Sequence, residues 1–148
     1  MLFNIFKMKI TEDTLKKDPR SEDCYRTTIE LDQKKIDISL NLEDISLEDM
    51  IALGNSFFED FEDKKNKATD EIVSAFYENY NENWADEDNG YPELSKPEFR
   101  EKLTITAIHF YAKDLIDVIY NEDGMFGNHY LIAQSYDGKT FEDSTMFG

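Results

Sequence analysis

The sequence contains two histidines, and one of them stands where an imidazole could serve as a general base. His129 follows a glycine-rich turn that includes Phe126, so a strand beginning there would hold the ring at a sheet edge. A nearby carboxylate such as Asp123 could orient the ring for acid–base catalysis. The more frequent role that we expect is structural, with the ring nitrogens forming hydrogen bonds that fix the turn. His109 lies within a predicted strand and is expected to be a packed or surface residue.

The other patterns that support catalysis or metal binding are missing from the sequence. Cys24 is the sole cysteine, which excludes an internal disulfide and a multi-cysteine metal cluster. The acidic run Asp86 to Asp88 fails as an EF-hand, because a loop starting at Asp86 would place Gly90 at position five and Pro97 at position twelve. No glycine-rich phosphate loop occurs. We therefore expect no cofactor and no metal, and predict that the protein is not an enzyme.

The chain is strongly acidic, with 33 Asp and Glu against 16 Lys and Arg in 148 residues, a net charge of −17. This sign argues against binding to nucleic acid or to anionic membranes. From Glu43 to Glu101, 18 acidic and 5 basic residues give −13 in 59 positions. We predict an acidic surface for a basic protein partner in this region, with an aromatic anchor beside it. Its residues are Glu59, Asp60, Glu62, Asp63, Asp86, Glu87 and Asp88, with Tyr91 as the anchor.

The elements that would position these residues begin with a β-hairpin. Apolar residues alternate from Cys24 to Leu31 and from Ile36 to Leu42, on either side of the polar turn Asp32 to Lys35. This period of two predicts two strands with one buried face. The segment Met1 to Ile10 is a candidate for a preceding strand, and Thr11 to Asp23 is predicted to be a loop.

Two helices are predicted in the acidic middle of the chain. Ser46 is a favourable N-cap, and apolar residues from Leu47 to Phe61 recur every three or four positions. The opposite face of this helix holds polar residues such as Asn55. One helix from Ser46 to Trp84 would be about 58 Å long, too long for a small domain. The stretch after Phe61 lacks apolar residues, so we predict a break near Lys65 and a second helix from about Thr69.

A short helix and four strands complete the predicted fold. Ser95 and Glu98 have the spacing of a capping box, which predicts a helix from Lys96 to Lys102. The strands are predicted over 104–111, 115–120, 129–136 and 140–145, with a tight hairpin at Asp137-Gly138. An N-terminal hairpin, two to three central helices and a C-terminal antiparallel meander make an α+β fold. The length suits a single domain over residues 1–148.

Three short motifs resemble those of a known family. They are Asn81-Glu82-Asn83-Trp84, the segment Leu94 to Leu103 with Ser95, Glu98 and Phe99, and Asp123-Gly124-Met125-Phe126-Gly127-Asn128-His129. They resemble an uncharacterised bacterial family of "domain of unknown function" proteins, over roughly Ser46 to Gly148. The family turn reads Phe-x-Gly-His, whereas here Asn128 precedes the histidine, and asparagine tolerates the positive φ that glycine would adopt. The resemblance implies similarity to immunity proteins encoded beside bacterial toxins, and it implies no established activity.

Composition and resemblance together favour a non-catalytic acidic binding protein, in particular an immunity protein that neutralises a cationic bacterial toxin such as a nuclease. A DNA mimic that inhibits a DNA-binding protein and a small enzyme using His129 with a carboxylate are the alternatives. Charge that serves solubility alone fits the same composition. The first ten residues lack a cleavage site, and no apolar run approaches the roughly 20 residues of a membrane span, so we expect a cytoplasmic location. The sequence gives no indication of the oligomeric state.

Overall fold

The computed structural model describes residues 9–111 and 115–148, and its centre is one sheet of seven strands arranged in sequence order. The strands are β1 (Lys16–Lys17), β2 (Cys24–Leu31), β3 (Lys34–Asn41), β4 (Thr104–Tyr111), β5 (Leu115–Asn121), β6 (Tyr130–Ser135) and β7 (Asp143–Phe147). Neighbouring strands are antiparallel except β3 and β4, which are parallel. A parallel pair needs a long crossover connection, and three helices supply it here. They are α1 (Leu47–Glu59), α2 (Phe61–Asn79) and α3 (Lys96–Lys102).

This architecture confirms the predicted α+β fold, with its N-terminal hairpin and its C-terminal antiparallel meander. The predicted loop over Thr11 to Asp23 is wrong in one detail, because Lys16 and Lys17 pair with β2 as the edge strand β1. The candidate strand over Met1 to Ile10 lies outside the described residues except for its last two positions. No helix in the described ranges is both long and apolar enough to cross a membrane.

The hairpin β2–β3 turns more tightly than the sequence predicts. Asp32 and Gln33 both have positive φ, 50° and 67°, and Leu31 already pairs with Lys34. Two successive residues with positive φ match the right-handed twist of a hairpin.

The boundary between α1 and α2 lies at Asp60, so the prediction of a break near Lys65 and of a helix start near Thr69 is wrong. The stretch after Phe61 stays helical because a polar segment can form a solvated helix, supported here by an Asp63–Lys67 ion pair of 2.9 Å. The bend at Asp60 instead lets Phe61 turn into the core beside Phe57.

The connection between β6 and β7 differs from the predicted two-residue hairpin. The Asp137 carboxylate accepts the backbone N–H groups of Lys139 and Thr140, both at 2.8 Å, and folds a longer loop. Phe141 in this loop is buried, with its ring 6.5 Å from that of Phe57. Because Phe141 is drawn into the core, the last strand begins at Asp143 instead of residue 140.

The helices pack on one face of the sheet. In α1 the ring of Phe57 meets that of Phe110 on β4, and in α2 the Thr69 hydroxyl lies 2.7 Å from the Tyr120 hydroxyl on β5. The α1 residue Asn55, predicted to lie on the polar face of this helix, holds the backbone of Ile10 with two hydrogen bonds of 2.7 and 2.9 Å. We call the side chains that alternate to the other side of the strands the open face.

Candidate functional site

The three motifs of the sequence meet at one buried aromatic ring, that of Phe126. Four aromatic rings surround it edge to face, with centroid separations of 5.4–6.2 Å. They belong to Phe76, Tyr80, Trp84 and Phe99. We call these five residues the aromatic cluster. The cluster joins the end of α2, the helix α3 and the turn before β6 into one unit.

The end of α2 is widened into a π-helical turn, Tyr80–Trp84, which carries the Trp84 side chain to the cluster. Within it, the Asn81 side-chain amide pairs with the backbone of Leu94, donating to its carbonyl and accepting its N–H, both at 2.9 Å. The Tyr80 hydroxyl donates to the Pro92 carbonyl at 2.7 Å. Asn81 and Tyr80 therefore fix the chain between the π-helical turn and α3.

The turn before β6 is organised by a buried carboxylate, Glu122. Its side chain accepts the backbone N–H of Gly124 at 2.7 Å and that of Phe126. Hydrogen bonds from backbone N–H groups to a carboxylate are among the stronger ones in proteins. Glu122 is not among the residues predicted from the sequence, although its place directly before an Asp-Gly turn is a usable signal.

His129 forms a hydrogen bond of the kind expected for a structural role. Its Nδ1 donates to the carbonyl of Phe126, and its ring lies 6.1 Å from that of Trp84. Asn128 before it has φ +68°, the positive value anticipated for that position. The carboxylate of Asp123 lies 3.6 Å from Lys102 Nζ, so the two residues suggested for acid–base chemistry each contact a different partner.

The acidic loop, Asp86 to Tyr91, lies beside the turn that carries Phe126. Asp86 and Tyr91 form a two-residue bridge that closes it, with Tyr91 N–H donating to Asp86 O at 3.0 Å. The ring of Tyr91 lies over Gly124, where an added Cβ would meet a ring carbon at 3.3 Å. Gly124 also has φ +79°, so its backbone and its neighbour both require glycine. Tyr91 is half-buried in this contact, while Asp86, Glu87 and Asp88 are exposed.

Trp84 is the exposed aromatic residue of this region, with 38 % of its surface accessible. The sequence pattern places it in the apolar stripe of a helix and so does not predict its exposure. Its ring edge lies against Gly127 as well as Phe126. We call the group Trp84, Asp86, Glu87, Asp88 and Tyr91 the Trp84 patch.

The other predicted acidic residues lie at the opposite end of α2. Glu59, Asp60, Glu62 and Asp63 surround the α1–α2 bend, whereas the acidic loop follows the far end of α2. The 19 residues of α2 span about 28 Å at 1.5 Å per residue, so the structure does not bring the two groups together. Lysines accompany the bend: Lys67 pairs with Asp63, and Lys64 lies over the ring of Phe57. Within the described ranges, no group of three or more His, Cys, Asp or Glu side chains could hold a metal ion.

The chain is thus an α+β protein, with a seven-stranded sheet, a three-helix crossover and a turn packed on an aromatic cluster. The chain belongs to the family described as "Uncharacterized protein conserved in bacteria (DUF2262)", whose model matches residues 14–146. This confirms the resemblance to an uncharacterised bacterial family. The match also includes the hairpin β2–β3, which the resemblance left outside. No curated protein and no solved structure matches the chain.

Proposed function

We propose that this protein is a non-catalytic binding protein that holds a basic partner protein at the Trp84 patch. Its role in this proposal is that of an immunity protein, which neutralises a cationic bacterial toxin such as a nuclease. The observation that carries the proposal is the exposure of Trp84 on a rigid support. One edge of the indole packs on Phe126 and His129, and 38 % of the side chain remains accessible.

A tryptophan held in this way is well suited to be an interface hot spot. It buries a large area on binding and loses little conformational freedom, because packing already fixes its rotamer. Tyr91 next to it is fixed in the same manner by its contact with Gly124.

The acidic loop supplies the electrostatic part of the proposed interaction. Asp86, Glu87 and Asp88 are exposed beside Trp84, on a loop that the Asp86–Tyr91 bridge holds closed. Opposite charge accelerates association and selects partners, while buried aromatic residues slow dissociation. A nuclease groove that binds phosphate is basic, so its charge complements this loop. The lysines around Asp60 and Glu62 make the α1–α2 bend the weaker candidate.

The proposal is tested by capture from a lysate of the bacterium that encodes the protein. The immobilised protein is expected to retain a basic protein at low salt and to release it at high salt. The retained protein is then expressed alone and together with this chain. Growth inhibition that coexpression relieves is the result expected of a toxin and its immunity protein.

Two matched triple variants separate a specific surface from general charge. One neutralises the loop with Asp86→Asn, Glu87→Gln and Asp88→Asn, and the other neutralises the bend with Glu59→Gln, Asp60→Asn and Glu62→Gln. We expect the loop variant, and separately Trp84→Ala, to weaken retention by at least about tenfold, a loss of about 1.4 kcal/mol or more, while the bend variant stays close to the wild type. Absence of any retained basic protein, or equal losses in both triple variants, contradicts the proposal.

A further inference from the structure

The open face of β5–β7 carries exposed aromatic side chains. Four large hydrophobic side chains are exposed among the described residues, and three of them lie here: Tyr130 at 46 %, Tyr136 at 56 % and Phe147 at 65 %. Tyr130 and Phe147 are directly opposite each other on β6 and β7. Contiguous exposed apolar patches are rare on monomeric proteins, and those that occur often mark interaction sites.

A row of polar side chains crosses the same face. The strand register places His109, Asp117, Gln134 and Asp143 side by side on β4, β5, β6 and β7. Gln134 Nε2 donates to Asp117 Oδ1 at 3.3 Å, and the hydroxyl of Tyr136 donates to Asp143 Oδ2 at 2.8 Å. The row thus presents two carboxylates, two strands apart, between aromatic side chains. We call Asp117, Tyr130, Gln134, Tyr136, Asp143 and Phe147 the open-face patch.

Asp117 differs from the many solvated carboxylates of this chain. It is half-buried, and burial raises the pKa of its carboxyl group above the usual range of aspartate. A carboxylate that has lost part of its hydration gains more from a cationic partner than an exposed one does.

The charge of the patch indicates what covers it. Strands β5, β6 and β7 contain neither lysine nor arginine, so a second copy that stacks the same three strands on this patch would set carboxylates against carboxylates. Arg26, which the register places on the same face on β2, is already paired with Asp18 at 3.0 Å. His109 does not supply the missing cation, because burial lowers its pKa and favours the neutral ring. A basic partner is complementary to the patch where a second copy is not.

The patch is also continuous with the Trp84 patch. The ring of Trp84 meets His129, and the backbone of Gly148 lies against His129 and Tyr130, where an added Cβ would stand 3.7–3.9 Å away. His129 directly precedes Tyr130, which faces Phe147. The exposed aromatic residues of both patches therefore border one another around this end of the sheet.

We propose that the open-face patch binds a cationic amphipathic segment of a partner protein, with an arginine or lysine between Asp117 and Asp143 and apolar side chains on Tyr130 and Phe147. The inference rests on the basic partner of the proposed function and adds the surface that receives its positively charged side chains. A synthetic probe tests the open-face patch separately from the proposed function, since it needs no knowledge of the natural partner.

The probe is the peptide acetyl-Leu-Arg-Leu-Arg-Leu-amide, titrated into the ¹⁵N-labelled full chain and followed by amide chemical shifts. We expect the shifts to concentrate on β5–β7, including Gln134, Thr145 and Phe147. The same peptide with citrulline in place of arginine keeps the shape without the charge and is expected to lose binding. Asp117→Asn and Phe147→Ala are each expected to weaken binding about fivefold or more. Glu30→Gln removes an exposed carboxylate from the same face on β2 and is expected to leave binding unchanged.

Several outcomes overturn the inference. Shifts confined to the acidic loop or to the α1–α2 bend would place the cation elsewhere and leave the proposed function intact. Equal binding by wild type and Asp117→Asn, with an unchanged fold in the amide spectrum, would exclude the anchoring carboxylate. Self-association in sedimentation that Phe147→Ala abolishes would assign the face to a second copy. Peptide binding at β5–β7 without a retained basic protein in the lysate would contradict the proposed function alone.

Discussion

The two sides of the sheet use the same residue types in opposite ways. On the helix-covered side, Phe126 is fully buried among four aromatic rings, and the buried Glu122 carboxylate accepts two backbone N–H groups. On the open face, the rings of Tyr130 and Phe147 are exposed, and Asp117 accepts a side-chain hydrogen bond of 3.3 Å from Gln134. The first arrangement fixes a turn, whereas the second leaves aromatic rings exposed and a carboxylate half-buried. The number of aromatic and acidic residues therefore says little about their roles until it is known on which face of the sheet each one lies.

The sharpest test of this difference compares one phenylalanine from each side. Phe126→Ala removes a ring that contacts four others and is expected to lower the free energy of unfolding by about 3–5 kcal/mol. Phe147→Ala, with 65 % of its side chain exposed, is expected to change it by less than about 0.5 kcal/mol. Urea denaturation of both variants measures the two values. Losses of similar size would mean that Phe147 is packed and that the open face is not free.

The second test compares the two carboxylates. Glu122→Gln keeps the shape but replaces a charged acceptor of two backbone N–H groups, so we expect a loss of about 1.5–3 kcal/mol in the free energy of unfolding. Asp117→Asn is expected to raise the stability at neutral pH slightly. The pKa of Asp117 is raised in the folded state, so its ionised form is disfavoured by folding.

The direction of the Asp117 pKa shift also predicts how stability depends on pH. The stability that its protonated form contributes is present at low pH and is lost as the pH rises through the raised folded-state pKa. The gain from Asp117→Asn should therefore be visible at neutral pH and vanish below the ordinary aspartate pKa of 3.8. Greater destabilisation by Asp117→Asn than by Glu122→Gln would reverse the assignment of structural and available carboxylates.

The elements with strong local signals could be predicted from the sequence. Strands Cys24–Leu31 and Thr104–Tyr111 and the helix Lys96–Lys102 have the predicted bounds, because alternation and the Ser95–Glu98 capping box are encoded within the segments themselves. The parallel pairing of β3 with β4 was not predicted, since it depends on how three helices return the chain to the sheet. The bend at Asp60 was misplaced for a similar reason, because it is set by the burial of Phe61 in tertiary contact.

The candidate sites follow the same division. The turn with Phe126 and His129 and the acidic loop were identified from residue types, and the structure brings them together with Trp84. Glu122 and Asp117 were missed because their surroundings are made by backbone and strand register, which no single segment encodes. Likewise, the pairing of Tyr130 with Phe147 depends on where β7 begins, and Phe141 in the core decides that.

The smallest expected effect concerns His109, at the edge of the open-face row. Its Nδ1 lies 3.1 Å from the Tyr111 hydroxyl, Arg26 and Asp37 act on it from β2 and β3, and Asp117 stands opposite on β5. Burial, helped by the positive charge of Arg26, lowers the pKa of His109 below 6.5, so folding favours the neutral ring.

Its contribution to stability is therefore complete above pH 6.5 and declines as the pH falls from 6.5 to the lowered folded-state pKa. His109→Gln should flatten this decline relative to the wild type and leave the stability difference between the two proteins constant at higher pH. Urea denaturation of both at closely spaced pH values measures the difference directly. A decline of equal slope in the variant would show that His109 is solvated, and the polar row would then be open at β4 as well as at β7.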